Sequence, residues 1–155
     1  MSTNDVYYSR QLSFYSFNIH TLSTNEAIFY CYDETIGKKG SAEVVSFLHH
    51  FIFNLLKSGV RHLEIFCDSC YGQNKNYYMF RYLHYVVTET PTFDTIKMTF
   101  PIRGHSYLEC NRDMALVNQK CKAEVPEDWM EEIRNSCQKP TSFQVIELDH
   151  PLIRN

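Results

Sequence analysis

The chain has 155 residues and a formal net charge of −3, and 44% of its residues are hydrophobic against 21% charged. This balance is typical of one globular domain and excludes a disordered or collagen-like chain. The small negative charge excludes a surface that neutralises phosphates generally, so any nucleic-acid contact has to be local. The longest apolar stretch, residues 47–56, is far shorter than the ~20 residues of a membrane span, and no membrane partner is expected.

The N-terminus and the cysteines indicate a reducing compartment. No basic segment followed by an apolar core opens the chain, so we expect a nuclear or cytoplasmic protein rather than a secreted one. The cysteines are then predicted to be reduced and buried: Cys31, Cys67, Cys70, Cys110, Cys121 and Cys137. The 11 Tyr and 11 Phe are interpreted as core residues first and as ligand-stacking residues second.

The N-terminal part of the chain predicts a β-hairpin. Residues 12–19 alternate in part between polar and apolar, and residues 27–32 form a continuous apolar run, so each predicts a strand. The polar segment 21–26 between them is short enough for an antiparallel connection. The second strand, being apolar throughout, is predicted to be buried on both faces.

The first helix has the clearest pattern in the chain. Ser41 is predicted as its N-cap, Glu43 as a carboxylate in its first turn, and Gly59 as its C-terminal stop. Its apolar residues recur at helical spacing: Val44, Phe47, Leu48, Phe51, Ile52 and Leu55.

Three elements are predicted next. Residues 62–67 form an apolar run that a helix separates from the preceding strand, which favours a parallel, internal strand. Residues 76–88 predict a helix that ends before Pro91. Its buried side is predicted to consist of Met79, Phe80, Leu83 and Val86. Residues 95–100 alternate, as a half-buried strand does.

The C-terminal part predicts two helices and a last strand. Asn111 is predicted to cap a short helix that ends at Lys120, and Pro126 to open another that ends near Cys137. Residues 142–148 predict a strand. The complete order is β-β-α-β-α-β-α-α-β, an α/β fold with a mixed sheet flanked by helices.

Three acids are the candidates for chemistry, and each also has a structural interpretation. Asp68 directly follows a predicted strand, where ligands of open α/β sheets collect, but Asp is also a preferred turn residue. Asp113 lies near the start of a helix, where the cap interpretation is slightly favoured. Glu43 is most simply a partner of the helix dipole.

Several blocks of the sequence together resemble an uncharacterised transposon-derived family, common in insects and other invertebrates. Its proteins are usually described only as hypothetical or as holding a domain of unknown function, and the resemblance includes a ribonuclease H-like domain of the DDE transposase and integrase type. The block around Asp68, residues 67–76, is the most specific. The other blocks are residues 7–12, 33–35, 40–43, 103–106 and 126–129.

The resemblance implies a two-metal site for phosphodiester cleavage or strand transfer on DNA. Asp68, Asp113 and Glu43 would hold Mg²⁺ or Mn²⁺, since carboxylate oxygens are the ligands these ions prefer. His105 would assist proton transfer or contact a phosphate. The nucleic-acid contacts would come from Gln73, Asn74, Lys75 and Arg103, and no small-molecule substrate is evident.

The sequence departs from the family at the first acid. That acid belongs to the first, central strand of the sheet, upstream of residues 7–12, and only six residues precede this block, with Asp5 as their sole acid. Asn118 also stands where related sequences often carry an acid. We therefore expect a single ribonuclease H-like domain over residues 1–155, N-terminally truncated and without its first strand, whose ancestral activity is impaired or lost.

Alternative interpretations remain open. Cys67 and Cys70 have the spacing of half a structural zinc site, but no second close pair exists, and Asp68 between them disfavours a thioredoxin-like thiolate. The main alternative to an enzyme is a non-catalytic module, a domesticated or vestigial transposase domain that binds nucleic acid or protein.

Overall fold

The fold was determined as a computed structural model that describes residues 12–102, 108–120, 126–137 and 141–148. The order of elements within these ranges is the predicted one, and the α/β class is confirmed. The strands are β1 (Phe14–Thr21), β2 (Glu26–Asp33), β3 (His62–Phe66), β4 (Thr95–Thr99) and β5 (Gln144–Glu147). The helices are α1 (Ser41–His50), α2 (Tyr77–Glu89), α3 (Glu109–Lys120) and α4 (Pro126–Ser136). No helix of the described ranges is long and apolar enough to cross a membrane.

The hairpin forms the first of two small sheets. β1 and β2 pair antiparallel, from Phe14 opposite Asp33 to Thr21 opposite Glu26. β5 pairs parallel to the other edge of β2, so the order is β1-β2-β5. β2 is therefore the central strand, and its six middle residues are all buried, as the continuous apolar run predicts.

The second sheet consists of β3 and β4, paired parallel from His62 opposite Thr95 to Phe66 opposite Thr99. The prediction that β3 is internal was wrong for the described residues, because β3 has a strand partner on one side only. An internal strand needs hydrogen-bonding partners on both edges, and the described ranges supply no strand between β1 and β3.

Both sheets share one helical layer. Successive side chains of β2 point to opposite faces, so Tyr30 packs toward α1 while Phe29 packs toward α3 and α4. The rings of Tyr30 and Phe47 stack with centroids 5.0 Å apart. Leu63 of β3 and Ile96 of β4 pack against the same cluster. A common core on α1 and α2 therefore joins the two sheets, although no backbone ladder between described strands does.

The ends of α1 differ from the prediction. Gly40, not Ser41, is the N-cap, and no side chain caps this end. The apolar pattern beyond His50 continues as one π-helical turn, Phe51–Leu55, which the Leu56 N–H closes by donating to the Phe51 carbonyl at 2.8 Å. Gly59 is not the predicted stop of the helix, because the helical turn ends at Leu55 with Leu56 as its C-cap; Gly59, with a φ of 90°, lies in the turn that follows.

The next two helices also refine their predictions. Asn76 caps α2 by accepting a hydrogen bond from the Met79 N–H at 3.0 Å. Met79 is buried as predicted, but Phe80 is exposed, because it lies about a quarter of a turn around the helix from the centre of the buried side. α3 begins at Glu109, so Asn111 lies inside the helix rather than at its cap.

Candidate functional site

Asp113 is the centre of a buried polar cluster. It is the fifth residue of a helix that begins at Glu109, and it is 3% exposed, so the cap interpretation was wrong. Its Oδ2 lies 2.8 Å from His20 Nδ1 and accepts a hydrogen bond from Asn18 Nδ2 at 3.0 Å. Both partners lie on β1, more than 90 residues earlier, so this acid ties α3 to the hairpin.

The alternation of β1 explains this pairing. Phe17 and Ile19 face the α1 side, whereas Ser16, Asn18 and His20 face α3. The sequence prediction used the apolar residues of this strand and did not identify its polar residues as part of a site. The detectable signal was three polar residues at alternate positions of a strand, which indicates a second face that needs polar partners.

The rest of the cluster holds the hairpin turn. His20 Nε2 lies 3.1 Å from Asn25 Oδ1, and Asn25 adopts the left-handed conformation with a φ of 56°. Cys110 Sγ donates to the Asn18 carbonyl at 3.5 Å, and burial raises the pKa of this thiol to about 11. The Oδ1 of Asn18 is buried and has no hydrogen-bond partner among the described residues. The cluster is thus a set of hydrogen bonds that connect β1, the hairpin turn and α3.

Asp68 organises the turn after β3. The carboxylate is on an exposed residue, and its Oδ1 accepts hydrogen bonds from Asn74 Nδ2 at 2.6 Å and from the Cys70 N–H at 3.3 Å. Asn74 is buried, so its amide is engaged inside the turn. Gln73 contributes a backbone N–H that donates to the Cys70 carbonyl at 3.2 Å. These contacts support the turn interpretation of Asp68.

Glu43 closes the loop before α1. It is buried, and its Oε1 accepts a hydrogen bond from the Lys38 N–H at 2.7 Å. A Cβ at Gly40 would lie 3.0 Å from Glu43 Oε2, so the glycine leaves room for this carboxylate. The first-turn position that favours Glu43 for the helix dipole also lets it satisfy a loop amide.

The predicted nucleic-acid residues lie partly within the described ranges. Lys75 sits with its Nζ 5.8 Å from the ring centroid of Tyr71 and 5.2 Å from that of Phe100. His105 and Arg103 lie outside the described residues.

The three acids are not gathered into one ligand set. Each is held by different partners on a different element, and the described ranges contain no group of three His, Cys, Asp or Glu side chains that could hold a metal ion. The described residues therefore do not fit a two-metal centre as they stand. The metal-binding and catalytic roles of Asp68, Asp113 and Glu43 stay predictions.

The cysteines of the zinc alternative are free thiols. Cys67 directly follows β3, and its pKa is raised to about 12, first by burial and then by the neighbouring Asp68. A thiolate is the form that binds metal, and the burial of Cys67 favours the neutral thiol.

Comparison with known protein families finds one match. Residues 19–150 match a family described as a domain of unknown function, DUF7869. No curated protein and no solved structure shows significant similarity to the chain. The match covers all described strands and helices except the first residues of β1.

Proposed function

Since the chain belongs to the DUF7869 family, whose function is unknown, we propose its function from its own residues. It is a ribonuclease H-like domain of transposase and integrase type, and its ancestral activity is metal-dependent cleavage or strand transfer of DNA phosphodiesters. In the arrangement of the described residues this activity is impaired. The domain retains a role in binding nucleic acid.

The order of the strands is the observation that carries the proposal. In the resembled fold, the hairpin β1–β2 would be the second and third strands, and β3 would be the fourth. The first strand, which is central, would then fit between β1 and β3, where the described sheet is divided. Phe17 of β1 and Ile65 of β3 pack in one cluster with α1 and α2, so the two open edges rest on a common layer.

The bonding of the acids supports impaired activity. A two-metal site needs carboxylates that face a common point, where two ions about 3.5–4 Å apart can bridge them. Asp113 is instead held by His20, Glu43 by the Lys38 amide, and Asp68 by Asn74. In the resembled fold, the acid on the first strand, between β1 and β3, would be needed to complete such a metal site.

The second candidate function is a non-catalytic module that binds nucleic acid or protein. The contacts that favour it are the same three carboxylate bonds, because each stabilises the local fold without any metal. An active enzyme would bind divalent ions, whereas neither the impaired domain nor this module is expected to do so.

A nuclease and metal-binding experiment tests the proposal. The purified chain is incubated with labelled single-stranded and double-stranded DNA and RNA in Mg²⁺ or Mn²⁺, and its melting temperature is measured against added Mn²⁺. We expect no cleavage and no stabilisation. A site filled at 100 times its Kd would add about 2.7 kcal/mol, which is a rise of roughly 5–10 °C for a chain of this size, so its absence is measurable.

Matched variants decide what a positive result means. Asp68→Asn and Asp113→Asn remove two predicted ligands, and Asp94→Asn removes an exposed carboxylate that pairs with Arg61. Cleavage that both ligand variants abolish and Asp94→Asn keeps would overturn the impaired state and make this chain an active nuclease.

A further inference from the structure

One face of α2 and the turns beside it form a set of exposed and partly exposed rings and cations. We name this set the aromatic–cationic surface; it consists of Tyr71, Lys75, Tyr77, Phe80, Arg81 and Phe100. Tyr71 and Tyr77 are 73% and 74% exposed, and Phe80 is 45% exposed. Large rings that face water in one patch are characteristic of an interaction site.

Direct contacts make the surface continuous. The Lys75 Nζ lies over both the Tyr71 and Phe100 rings, and the Phe100 ring meets the Phe80 ring edge-on with centroids 6.2 Å apart. The Arg81 Cζ lies 5.4 Å from the Tyr77 centroid, one helical turn away. Tyr77 and Phe80 are three residues apart and are therefore neighbours on the helix face.

The rings of α2 lie outside its buried side. That side consists of Met79, Leu83 and Val86. The exposed face continues through His84 and Tyr85 for another turn. The rings are therefore presented by a helix that is anchored through its buried side, and they need no rearrangement to meet a partner.

The charge of this segment favours an anionic partner. The twenty residues 69–88 contain Lys75 and Arg81 and no Asp or Glu, within a chain of net charge −3. Each cation rests against a ring, so a phosphate bound by the cation would lie beside a ring on which a base could stack. Cations next to exposed rings suit a single nucleic-acid strand, because its phosphates and its unpaired bases are both accessible.

We propose that the aromatic–cationic surface binds single-stranded nucleic acid, with bases stacked on Tyr77, Phe80 and the neighbouring rings and phosphates held by Lys75 and Arg81. The inference deepens the proposed function, because it names the form of nucleic acid that the domain holds. It does not depend on any metal. A duplex keeps its bases paired and stacked on one another, so few base faces are free to stack on these rings.

Fluorescence anisotropy in EDTA tests the stacking. The probe is a labelled oligothymidine of about 12 nucleotides, within the usual site sizes of such proteins, and a duplex of equal length is the comparison. We expect Tyr77→Ala and Phe80→Ala each to raise the Kd for the single strand roughly 5- to 150-fold, and Tyr77→Phe to leave it nearly unchanged. The matched control is Phe53→Ala, which removes a ring about as exposed as Phe80 that packs on His49 and is not a member of this surface.

The salt dependence tests the cations. Two phosphate contacts to a single strand give a slope of about −1.4 in log K against log salt concentration, and Arg81→Gln should reduce it to about half. Lys57→Gln, a change of an exposed lysine after the π-helical turn, should leave the slope unchanged.

Three results would overturn the inference. Binding of the duplex that the ring variants do not weaken would place the nucleic-acid contact elsewhere and leave the proposed function standing. Absence of binding to either probe would contradict the inference and the retained binding role together, while the cleavage experiment would still decide the enzymatic part. Self-association in sedimentation that Tyr77→Ala and Phe80→Ala abolish, without oligothymidine binding, would assign the surface to a second copy of the chain.

Discussion

At the scale of single residues, the central question is why the chain keeps Asp113 buried. A carboxylate 3% exposed has lost most of its hydration, and the hydrogen bonds from His20 and Asn18 replace it. An acid kept for this reason stabilises the fold. An acid kept for chemistry usually costs stability, because catalytic groups are held where solvation is incomplete.

The variant Asp113→Asn distinguishes these two uses. If the acid is structural, the change weakens the bond to His20, and we expect the free energy of unfolding to fall by roughly 3 kcal/mol. Asp94→Asn is the control, since solvent screens its exposed pair with Arg61 and the pair should contribute little to stability. Urea denaturation measures both. A more stable Asp113→Asn protein would indicate an acid retained for function.

The positions of the candidate residues could be predicted only in part. Asp68 as a turn residue follows from its place directly after an apolar run, and the structure has it in that role. The partner of Asp113 could not be predicted, because His20 lies 93 positions away and only the packing of α3 on β1 brings the two together. Sequence spacing carries no signal for such a contact.

At the scale of elements, the most unusual feature is that one edge of β1 and one edge of β3 have no strand partner among the described residues. A strand with one partner leaves alternate N–H and C=O groups without a ladder, which natural sheets normally cover or shorten. β2 differs, since residues 28–31 of this strand pair with both β1 and β5.

Hydrogen exchange measures these edges. In an antiparallel pair the amides of one strand point alternately toward and away from its partner. We therefore expect alternate amides of β1 to exchange quickly, whereas those of residues 28–31 in β2 are all slow. The amides of β3 that point away from β4 should also exchange quickly. Uniform protection of both β1 and β3 would mean that a strand already lies between them, contrary to the divided sheet.

At the scale of the whole molecule, buried thiols and tyrosine hydroxyls make the stability of the fold sensitive to alkaline pH. Burial is the main cause that raises the thiol pKa of Cys31 and Cys67 to about 12 and that of Cys110 to about 11. It also raises the pKa of the Tyr30 and Tyr32 hydroxyls above their ordinary range. All these groups are neutral in the folded protein at pH values where an unfolded chain has begun to lose the same protons.

The sign of the effect follows from the protons bound. Above the ordinary thiol pKa of about 8.5 the unfolded state binds fewer protons than the folded state, so stability is fully present below that pH and falls as pH rises toward 11 or 12. We expect the urea concentration at the midpoint of unfolding to decrease as the pH is raised from about 8 to about 10. The fall should be smaller in Cys31→Ala, because alanine does not ionise in either state. Equal falls in both proteins would contradict the role of this thiol.

The sequence by itself determined the identity and order of the elements. Residues 27–32 are apolar and become the middle of the central strand, and the helical spacing of α1 and α2 places Phe47 and Met79 in the core. These outcomes follow from local periodicity, since the backbone geometry of a helix or a strand repeats over a few residues. The chain contained this information without any knowledge of distant contacts.

Only the tertiary structure decided which faces meet. It divided the strands into two sheets, turned Phe80 to the surface, and tied each of three acids to a separate partner. These outcomes depend on which layers pack together, and packing brings together residues that are far apart in the chain. Periodicity identifies a face of a helix or strand, but the neighbour that covers that face, or leaves it open to a ligand, is set by the topology of the whole domain.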